Sequence, residues 1–259
     1  MFLRSSGAAL DIRAWVDGWA KSRSWRTRLW VSWVNILNQI GNSASGIPVS
    51  PELADMEFFR KAPGDPSRLG ILPGTFNPIT IAHVGLARAA LGAVDEVVFV
   101  LPRRFPHKPY EGASFEDRIA MLAEALAGES RFSIAASGGT GLFCEIAAEC
   151  RAAYGPGTRL LVLCGRDAAE RIVNWDYGET GAIRRMLGEF GLLVAARGGE
   201  YVPPPELRSA VLPLPLAGAY ESVSATEVRR RIAAGEDWET LVPPPVRERV
   251  RRVFGPRWA

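Results

Sequence analysis

From Arg68 to the end of the chain, short apolar runs alternate with segments whose apolar residues recur at helical spacing. The runs predict buried strands at 69–72, 94–101, 132–136, 159–164 and 192–196. The segments between them predict helices at 81–91, 114–127, 142–153 and 180–190. Because parallel strands need crossover connections, this alternation predicts an α/β fold in which helices cover both faces of a parallel sheet. In such sheets ligands bind beyond the carboxyl ends of the strands, so the loops there carry the function.

The composition changes near residue 66, after a stretch rich in proline and glycine. We therefore predict an N-terminal extension at 1–66 and the main domain at 67–259. Between residues 12 and 36 the extension has tryptophan and aliphatic residues at helical spacing, which predicts one or two amphipathic helices. Its basic, tryptophan-bearing character is compatible with a membrane surface. Packing on the main domain, or poor order, is the favoured interpretation, and we assign the extension no function.

The overall composition excludes several classes of protein. The formal net charge of +3 from 31 basic and 28 acidic residues gives no whole-chain field that favours a nucleic-acid partner. Three cysteines without a Cys-x-x-Cys pair fit neither a disulfide framework nor a zinc site, so we expect buried thiols in a reducing, cytoplasmic setting. No apolar run approaches the roughly 20 residues that cross a bilayer, and the start of the chain does not resemble a signal peptide.

The most informative segment is 74–83, Gly-Thr-Phe-Asn-Pro-Ile-Thr-Ile-Ala-His, which joins the first predicted strand to the first predicted helix. Gly74 permits a close backbone approach, and the helix start offers amide donors and the positive end of its dipole to a phosphate. The spacing matches neither a Walker A loop nor Gly-x-Gly-x-x-Gly. Thr80 and His83 are three residues apart, which puts them on one face of the helix.

A second segment, 223–229, reads Val-Ser-Ala-Thr-Glu-Val-Arg. Ser224 can cap a helix whose first turn contains Thr226, and Arg229 follows on the same side. Hydroxyls, amides and a guanidinium can therefore converge on phosphate oxygens. Taken alone, the segment is equally well explained as an ordinary capped helix with a solvated basic run.

Segment 74–83 resembles the signature of the nucleotidylyltransferase superfamily, (His/Thr)-x-x-His after a strand, and especially that of the nicotinamide or nicotinate mononucleotide adenylyltransferases. Segment 223–229 is similar to the Ile-Ser-Ser-Thr-x-(Ile/Val)-Arg of the same family. Their co-occurrence favours a functional interpretation of both. The resemblance runs from about residue 69 to the end, includes 241–243, and implies the Rossmann-like nucleotidylyltransferase fold. It does not cover 1–66.

Two further segments extend the resemblance. Residues 161–167 are similar to a Gly-Ala-Asp stretch of these enzymes, which implies that Asp167 holds ribose hydroxyls and that Trp175 lies against a pyridine ring; a helix cap and a core residue are the structural alternatives. Residues 106–109 are similar to a lysine-bearing loop, which implies a phosphate contact for Lys108. A solvated lysine is its alternative, and Arg118 could instead pair with a nearby acid.

The resemblance implies that the 5′-phosphate of nicotinamide or nicotinate mononucleotide attacks the α-phosphorus of ATP and releases pyrophosphate, in NAD biosynthesis. A phosphate nucleophile is already ionised, so no general base is needed. The implied site residues are catalytic His83, Arg229, Thr80 and Lys108; ATP- and phosphate-binding Gly74, Thr75, Phe76, Ser224 and Thr226; and substrate-binding Asn77, Gly165, Asp167, Trp175 and Arg118. Mg²⁺ would enter with ATP and bridge phosphate oxygens, without a protein metal site. We expect a homo-oligomer.

Three departures from the family pattern bear on this interpretation. Ala82 stands where bacterial members usually have glycine, and Ala225 replaces a serine. Residues 138–141 lack the aromatic and threonine pattern expected near the nicotinamide, which puts the substrate in question more than the reaction. Two alternatives stay open: another transferase of the superfamily, such as a pantetheine-phosphate adenylyltransferase or a cytidylyltransferase, and a regulatory module that binds nucleotide without turnover.

Overall fold

A computed structural model of the chain describes residues 56–103, 112–139, 141–175, 180–195, 201–216, 220 and 222–255. The helices predicted between 12 and 36 lie outside the described residues. Within the described part of the chain, no helix has the length and apolarity needed to cross a membrane.

The described residues form a seven-stranded sheet. Its strands are β1 Glu57–Arg60, β2 Arg68–Pro73, β3 Glu96–Pro102, β4 Phe132–Ser137, β5 Arg159–Gly165, β6 Gly191–Ala195 and β7 Val211–Leu214. Their spatial order is β1-β4-β3-β2-β5-β6-β7. β1 runs antiparallel to β4, and all other neighbours are parallel. The predicted Rossmann-like α/β fold is confirmed.

Seven helices of the described residues lie between and after the strands. They are α1 Ile81–Ala90, α2 Phe115–Ala125, α3 Phe143–Tyr154, α4 Arg166–Val173, α5 Ala182–Glu189, α6 Ala225–Ala234 and α7 Arg247–Phe254, with 3₁₀ turns at Pro205–Leu207, Glu239–Leu241 and Pro244–Val246. The four helices predicted between the strands are confirmed to within a few residues. α4 was not predicted, because it follows β5 without an intervening turn.

The central strands explain why the sequence shows continuous apolar runs rather than alternation. Every residue of β3 and of β4 is buried, as expected for strands covered on both faces. A line of aromatic rings crosses this core: Phe76 lies 5.7 Å from Phe99, and Phe99 lies 5.4 Å from Phe132. The first of these rings belongs to the loop after β2, so the core directly supports the segment that the sequence singled out.

The edge strands β1 and β7 were not predicted. Each has four residues, and β1 shows only a short exposed-to-partly-buried alternation. Strand β7 contains Pro213, which is tolerated at a sheet edge because no ladder donor is needed there. Strand β1 also precedes the predicted boundary at residue 66, so the sheet begins upstream of that position.

The segment before the second motif docks on α1 through a glycine. A Cβ atom at Gly85 would lie 2.6 Å from ring atoms of Tyr220, a distance that real contacts do not reach. Tyr220 in turn accepts a backbone hydrogen bond from Val223, directly before Ser224. The absence of a side chain on α1 therefore lets the chain approach closely enough to place the second motif beside the first.

We predict that Gly85→Ala lowers the free energy of unfolding by about 1–3 kcal/mol, the usual cost of overpacking, although alanine is the better helix former. Gly188 is the matched control, because it is also helical and a Cβ there meets nothing within 4 Å. Urea unfolding of both variants measures the difference, and Gly188→Ala should be neutral or stabilising. Equal stability of Gly85→Ala and wild type would contradict the docking role, whereas adding Tyr220→Ala should relieve the clash.

Candidate active site

The loop after β2 is fixed to the core by its own aromatic residue. A Cβ at Gly74 would lie 2.9 Å from the ring of Phe76, and the Gly74 amide donates to the Val100 carbonyl at 3.1 Å. Phe76 has a φ of 46°, in the left-handed region that large residues rarely adopt, and is 1% exposed. Gly74 therefore makes room for the Phe76 ring, and its amide is hydrogen-bonded to β3. The Phe76 side chain faces the core, so only the backbone of Phe76 can contact a ligand.

His83 is oriented by the start of α1. The Thr80 amide donates to Nδ1 of His83 at 3.0 Å, and the Thr80 hydroxyl lies 2.8 Å from the same nitrogen. The imidazole and the Phe76 ring form a T-shaped pair with a centroid distance of 5.3 Å. Because Nδ1 accepts an N–H, the ring proton of the neutral imidazole is on Nε2. His83 is therefore held as an Nε2–H donor. The fully buried Thr80 orients its ring.

Arg229 joins the second motif to the first across 152 positions of sequence. Its Nη1 donates to the backbone carbonyl of Asn77 and, at 3.3 Å, to that of Ala225. Its Nη2 lies 3.4 Å from the hydroxyl of Thr226. The second motif therefore contacts the loop that leads to the helix bearing His83. That the guanidinium and the imidazole serve one site stays a prediction.

Asn77 and Arg118 hold the same loop from the side of α2. The Asn77 Oδ1 accepts from the amide of Ala113 at 3.1 Å. Arg118, which is 3% exposed, donates to the carbonyls of Thr75 at 3.2 Å and Ser114 at 3.3 Å. Both residues were predicted to contact substrate; the structure places both in contacts within the protein. No sequence pattern predicted the contacts with Ala113 and Thr75, because they join positions 36 and 43 residues apart.

The start of α6 matches the sequence prediction closely. Ser224 caps the helix by accepting from the amide of Glu227 at 3.1 Å, and both Ser224 and Thr226 are exposed. Hydrogen bonds from Arg230 and then Arg231 lower the pKa of Glu227 to about 2. These two arginines are engaged by Glu227, which leaves Arg229 as the residue of the basic run that faces the loop.

The next residues of the predicted site lie at and after the end of β5, the strand beside β2. Ile71 of β2 is opposite Val162 of β5, in parallel strands, so Gly74, just after β2, and Gly165, at the end of β5, lie at the same edge of the sheet. A Cβ at Gly165 would meet nothing within 4 Å. Gly165 is the N-cap of α4, so Asp167 is not a cap and instead lies exposed in the first turn. Trp175, just after α4, is partly exposed.

The remaining predictions concern a lysine and a metal ion. Lys108 lies outside the described residues. Among the residues that are described, no group of three or more His, Cys, Asp or Glu side chains is placed to hold a metal ion.

Under the turn at 138–139, Glu149 accepts from the Gly139 amide at 3.0 Å, and burial raises the pKa of this carboxyl. Glu149 was not anticipated, because a glutamate inside an amphipathic helix carries no signal of burial.

Comparison with known proteins agrees with this geometry. The family model described as cytidylyltransferase-like matches residues 71–231. A probable nicotinate-nucleotide adenylyltransferase of Moorella thermoacetica is 30% identical over 74% of this chain and 94% of its own length. One of Thermus thermophilus is 31% identical over 68% of this chain and 92% of its own length. The solved structure of Plasmodium falciparum nicotinic acid mononucleotide adenylyltransferase complexed with NaAD has a TM-score of 0.55 at 17% identity, over 71% of this chain and 95% of that one.

The geometry at Thr80 predicts the tautomer of His83 in solution. We expect a neutral imidazole with the proton on Nε2, seen in two-bond ¹H–¹⁵N correlation spectra at mildly alkaline pH. The chain has two histidines, so a His107→Gln variant assigns the signals. Thr80→Val should leave the tautomer unchanged, because the backbone amide still donates to Nδ1. A proton found on Nδ1 would show that the bond from the Thr80 amide does not form.

Proposed function

The chain belongs to the cytidylyltransferase-like family, and from this we propose that it joins nicotinate or nicotinamide mononucleotide to the AMP part of ATP, with release of pyrophosphate, in NAD biosynthesis. The relatives in Moorella and Thermus are matched over more than nine-tenths of their length. The proposal therefore rests on similarity to nearly the whole of each relative. The matched region begins at the strand that precedes the first motif and includes the second.

The observation that carries the proposal is the bond from Arg229 to the Asn77 carbonyl. It brings a guanidinium, the N-terminus of α6 and the N-terminus of α1 to one loop, with the His83 imidazole on that loop's helix. Arg229 has five N–H donors, of which the contacts within the described residues use at most three. A cluster of donors without a general base suits a reaction whose nucleophile is already an anion.

In the proposed reaction a 5′-phosphate oxygen of the mononucleotide forms a bond to the α-phosphorus of ATP. The bond from that phosphorus to the bridging α,β-oxygen breaks, and pyrophosphate leaves with the electron pair. His83, as an Nε2–H donor, would stabilise charge on the α-phosphoryl oxygens in the transition state. Arg229, with the exposed hydroxyls of Ser224 and Thr226, would hold the departing pyrophosphate. A single donor of this kind contributes roughly 2.7–4 kcal/mol in a well-studied oxyanion hole.

Mg²⁺ is proposed to enter as the complex with ATP. Bound there, it would neutralise phosphate charge. Its ligands would be phosphate oxygens and water, since the described residues offer no carboxylate cluster for it. The protein's own contribution is then a set of N–H and O–H donors around a metal-bearing substrate.

The mononucleotide is proposed to bind on the β5 side. The exposed carboxylate of Asp167 can accept hydrogen bonds from ribose hydroxyls, and the partly exposed indole of Trp175 can stack on the pyridine. The open space at Gly165 leaves room between them and the phosphate loop. This arrangement puts the two nucleotides on either side of the loop after β2.

The substrate assay separates the proposal from its alternatives. Purified protein is incubated with MgATP and, separately, nicotinate mononucleotide, nicotinamide mononucleotide and phosphopantetheine, and with CTP in place of ATP. We expect pyrophosphate and a dinucleotide with at least one of the two pyridine mononucleotides. Turnover only with phosphopantetheine or only with CTP would favour another transferase. Nucleotide binding without pyrophosphate in any mixture would favour the regulatory module.

Adjacent arginines provide a matched test of the second motif. Arg229→Ala should lower kcat/KM for ATP by roughly a hundredfold, the cost of a donor aimed at developing charge. Arg230→Ala should leave it unchanged, because the Arg230 guanidinium is engaged by Glu227 and Glu236 at 2.7–2.9 Å. Steady-state kinetics measure both. Equal losses in the two variants would show that helix charge, rather than the position of Arg229, is what matters.

A further inference from the structure

We infer that Asn77 is a positioning residue, which fixes Arg229 relative to His83 by binding two distant segments at once. Its side chain holds the segment that enters α2, and its backbone carbonyl holds Arg229 on α6. The inference rests on the proposed function, and it replaces the direct substrate contact that the sequence suggested for Asn77.

The side chain of Asn77 is enclosed by the segment that enters α2. Asn77 is 3% exposed, and its Oδ1 accepts from the Ala113 amide at 3.1 Å. The preceding residue, Gly112, has a φ of 141°, and a Cβ there would lie 2.1 Å from the Asn77 Nδ2. Glycine is therefore required both for the backbone conformation and for the space that the amide fills. A side chain enclosed in this way offers little surface to a substrate.

The backbone carbonyl of Asn77 determines the position of the Arg229 guanidinium. The Asn77 carbonyl accepts from Nη1 of Arg229, while Ala225 anchors the same nitrogen to α6. The direction of a carbonyl follows the orientation of its peptide unit. With the Asn77 side chain bound to Ala113, rotation of the residue is restricted, and the carbonyl points to one place.

The same loop leads directly to His83. Both proposed phosphate donors, Arg229 and His83, are therefore positioned by the backbone of this loop. His83 is held by Thr80, three residues after Asn77, through the bond to Nδ1. Arg118 restrains the loop on the other side of Asn77 by donating to the Thr75 carbonyl. Small displacements of such donors are costly, since a misplacement of about 1 Å can lower the rate roughly a hundredfold. Asn77 is the residue in this loop whose side chain and carbonyl both bind distant segments.

Three variants test the role. Asn77→Leu keeps the branched shape and the number of non-hydrogen atoms but cannot accept a hydrogen bond. Asn77→Asp retains an acceptor for the Ala113 amide, and Gly112→Ala disturbs the same contact from the opposite side. In Asn77→Leu and Gly112→Ala we expect kcat to fall roughly ten- to hundredfold. KM should rise for ATP and, in the reverse reaction, for pyrophosphate. KM for the mononucleotide should stay the same, because its proposed contacts lie beyond β5. Asn77→Asp should recover most of the lost kcat.

This pattern differs from that of a residue that only stabilises the fold. Such a residue would lower the fraction of folded enzyme and leave each KM unchanged. A double-mutant cycle adds a direct measure of coupling: Asn77→Leu and Arg229→Ala should be strongly non-additive in kcat/KM for ATP. Unchanged KM values for ATP and pyrophosphate, or additive losses, would overturn the inference while leaving the proposed function in place.

The link between the two segments is also measurable without activity. Hydrogen exchange at the Ala113 amide and at the first turns of α6 should accelerate in Asn77→Leu and return towards wild-type rates in Asn77→Asp. If wild-type protein shows no adenylyl transfer, the proposed function fails, and the exchange data still decide whether Asn77 links the two segments. Unchanged exchange at both places in Asn77→Leu would overturn the link itself.

Discussion

The site depends on how the backbone of one loop is held, namely the segment between β2 and α1. Two buried or partly buried guanidinium groups donate to its carbonyls, Arg118 to Thr75 and Arg229 to Asn77. The Phe76 ring anchors the same loop in the core beside Phe99. A loop beyond a parallel sheet is the usual place for ligands. Its free carbonyls and flexible dihedrals, however, do not by themselves fix the positions of its groups. Arginines with several fixed donors supply the frame.

The chemical character of the site follows from this frame. The Thr80 amide binds Nδ1 of His83, so the imidazole presents N–H rather than a lone pair to its surroundings, and it suits the stabilisation of phosphoryl charge better than proton abstraction. The helix starts at Thr80 and Ser224 add amide donors and positive dipole ends. A site made of donors fits an anionic nucleophile attacking an anionic electrophile, in which charge stabilisation and alignment provide most of the rate.

Sequence reasoning and structure diverged where a residue's role depends on a distant partner. Gly74 gives its amide to Val100 of β3, a partner that the sequence did not indicate. Its phosphate contact stays a prediction. The strands β1 and β7 were missed because a four-residue edge strand has too few positions to show a period. The buried strands and the cap at Ser224 were predicted well, since apolar runs and capping act over a few residues.

The sequence by itself determined the central strands, the helices between them, the α/β class, the two motifs and the residues with phosphate-binding chemistry. These properties depend on propensity, periodicity and side-chain functional groups, which are local. Only the tertiary structure decided that Arg229 meets Asn77 and that Asn77 meets Ala113. The strand order β4-β3-β2-β5 and the docking of Tyr220 on Gly85 bring these atoms together. Contacts of this kind arise from the packing of the whole chain, because no short window of sequence contains both partners.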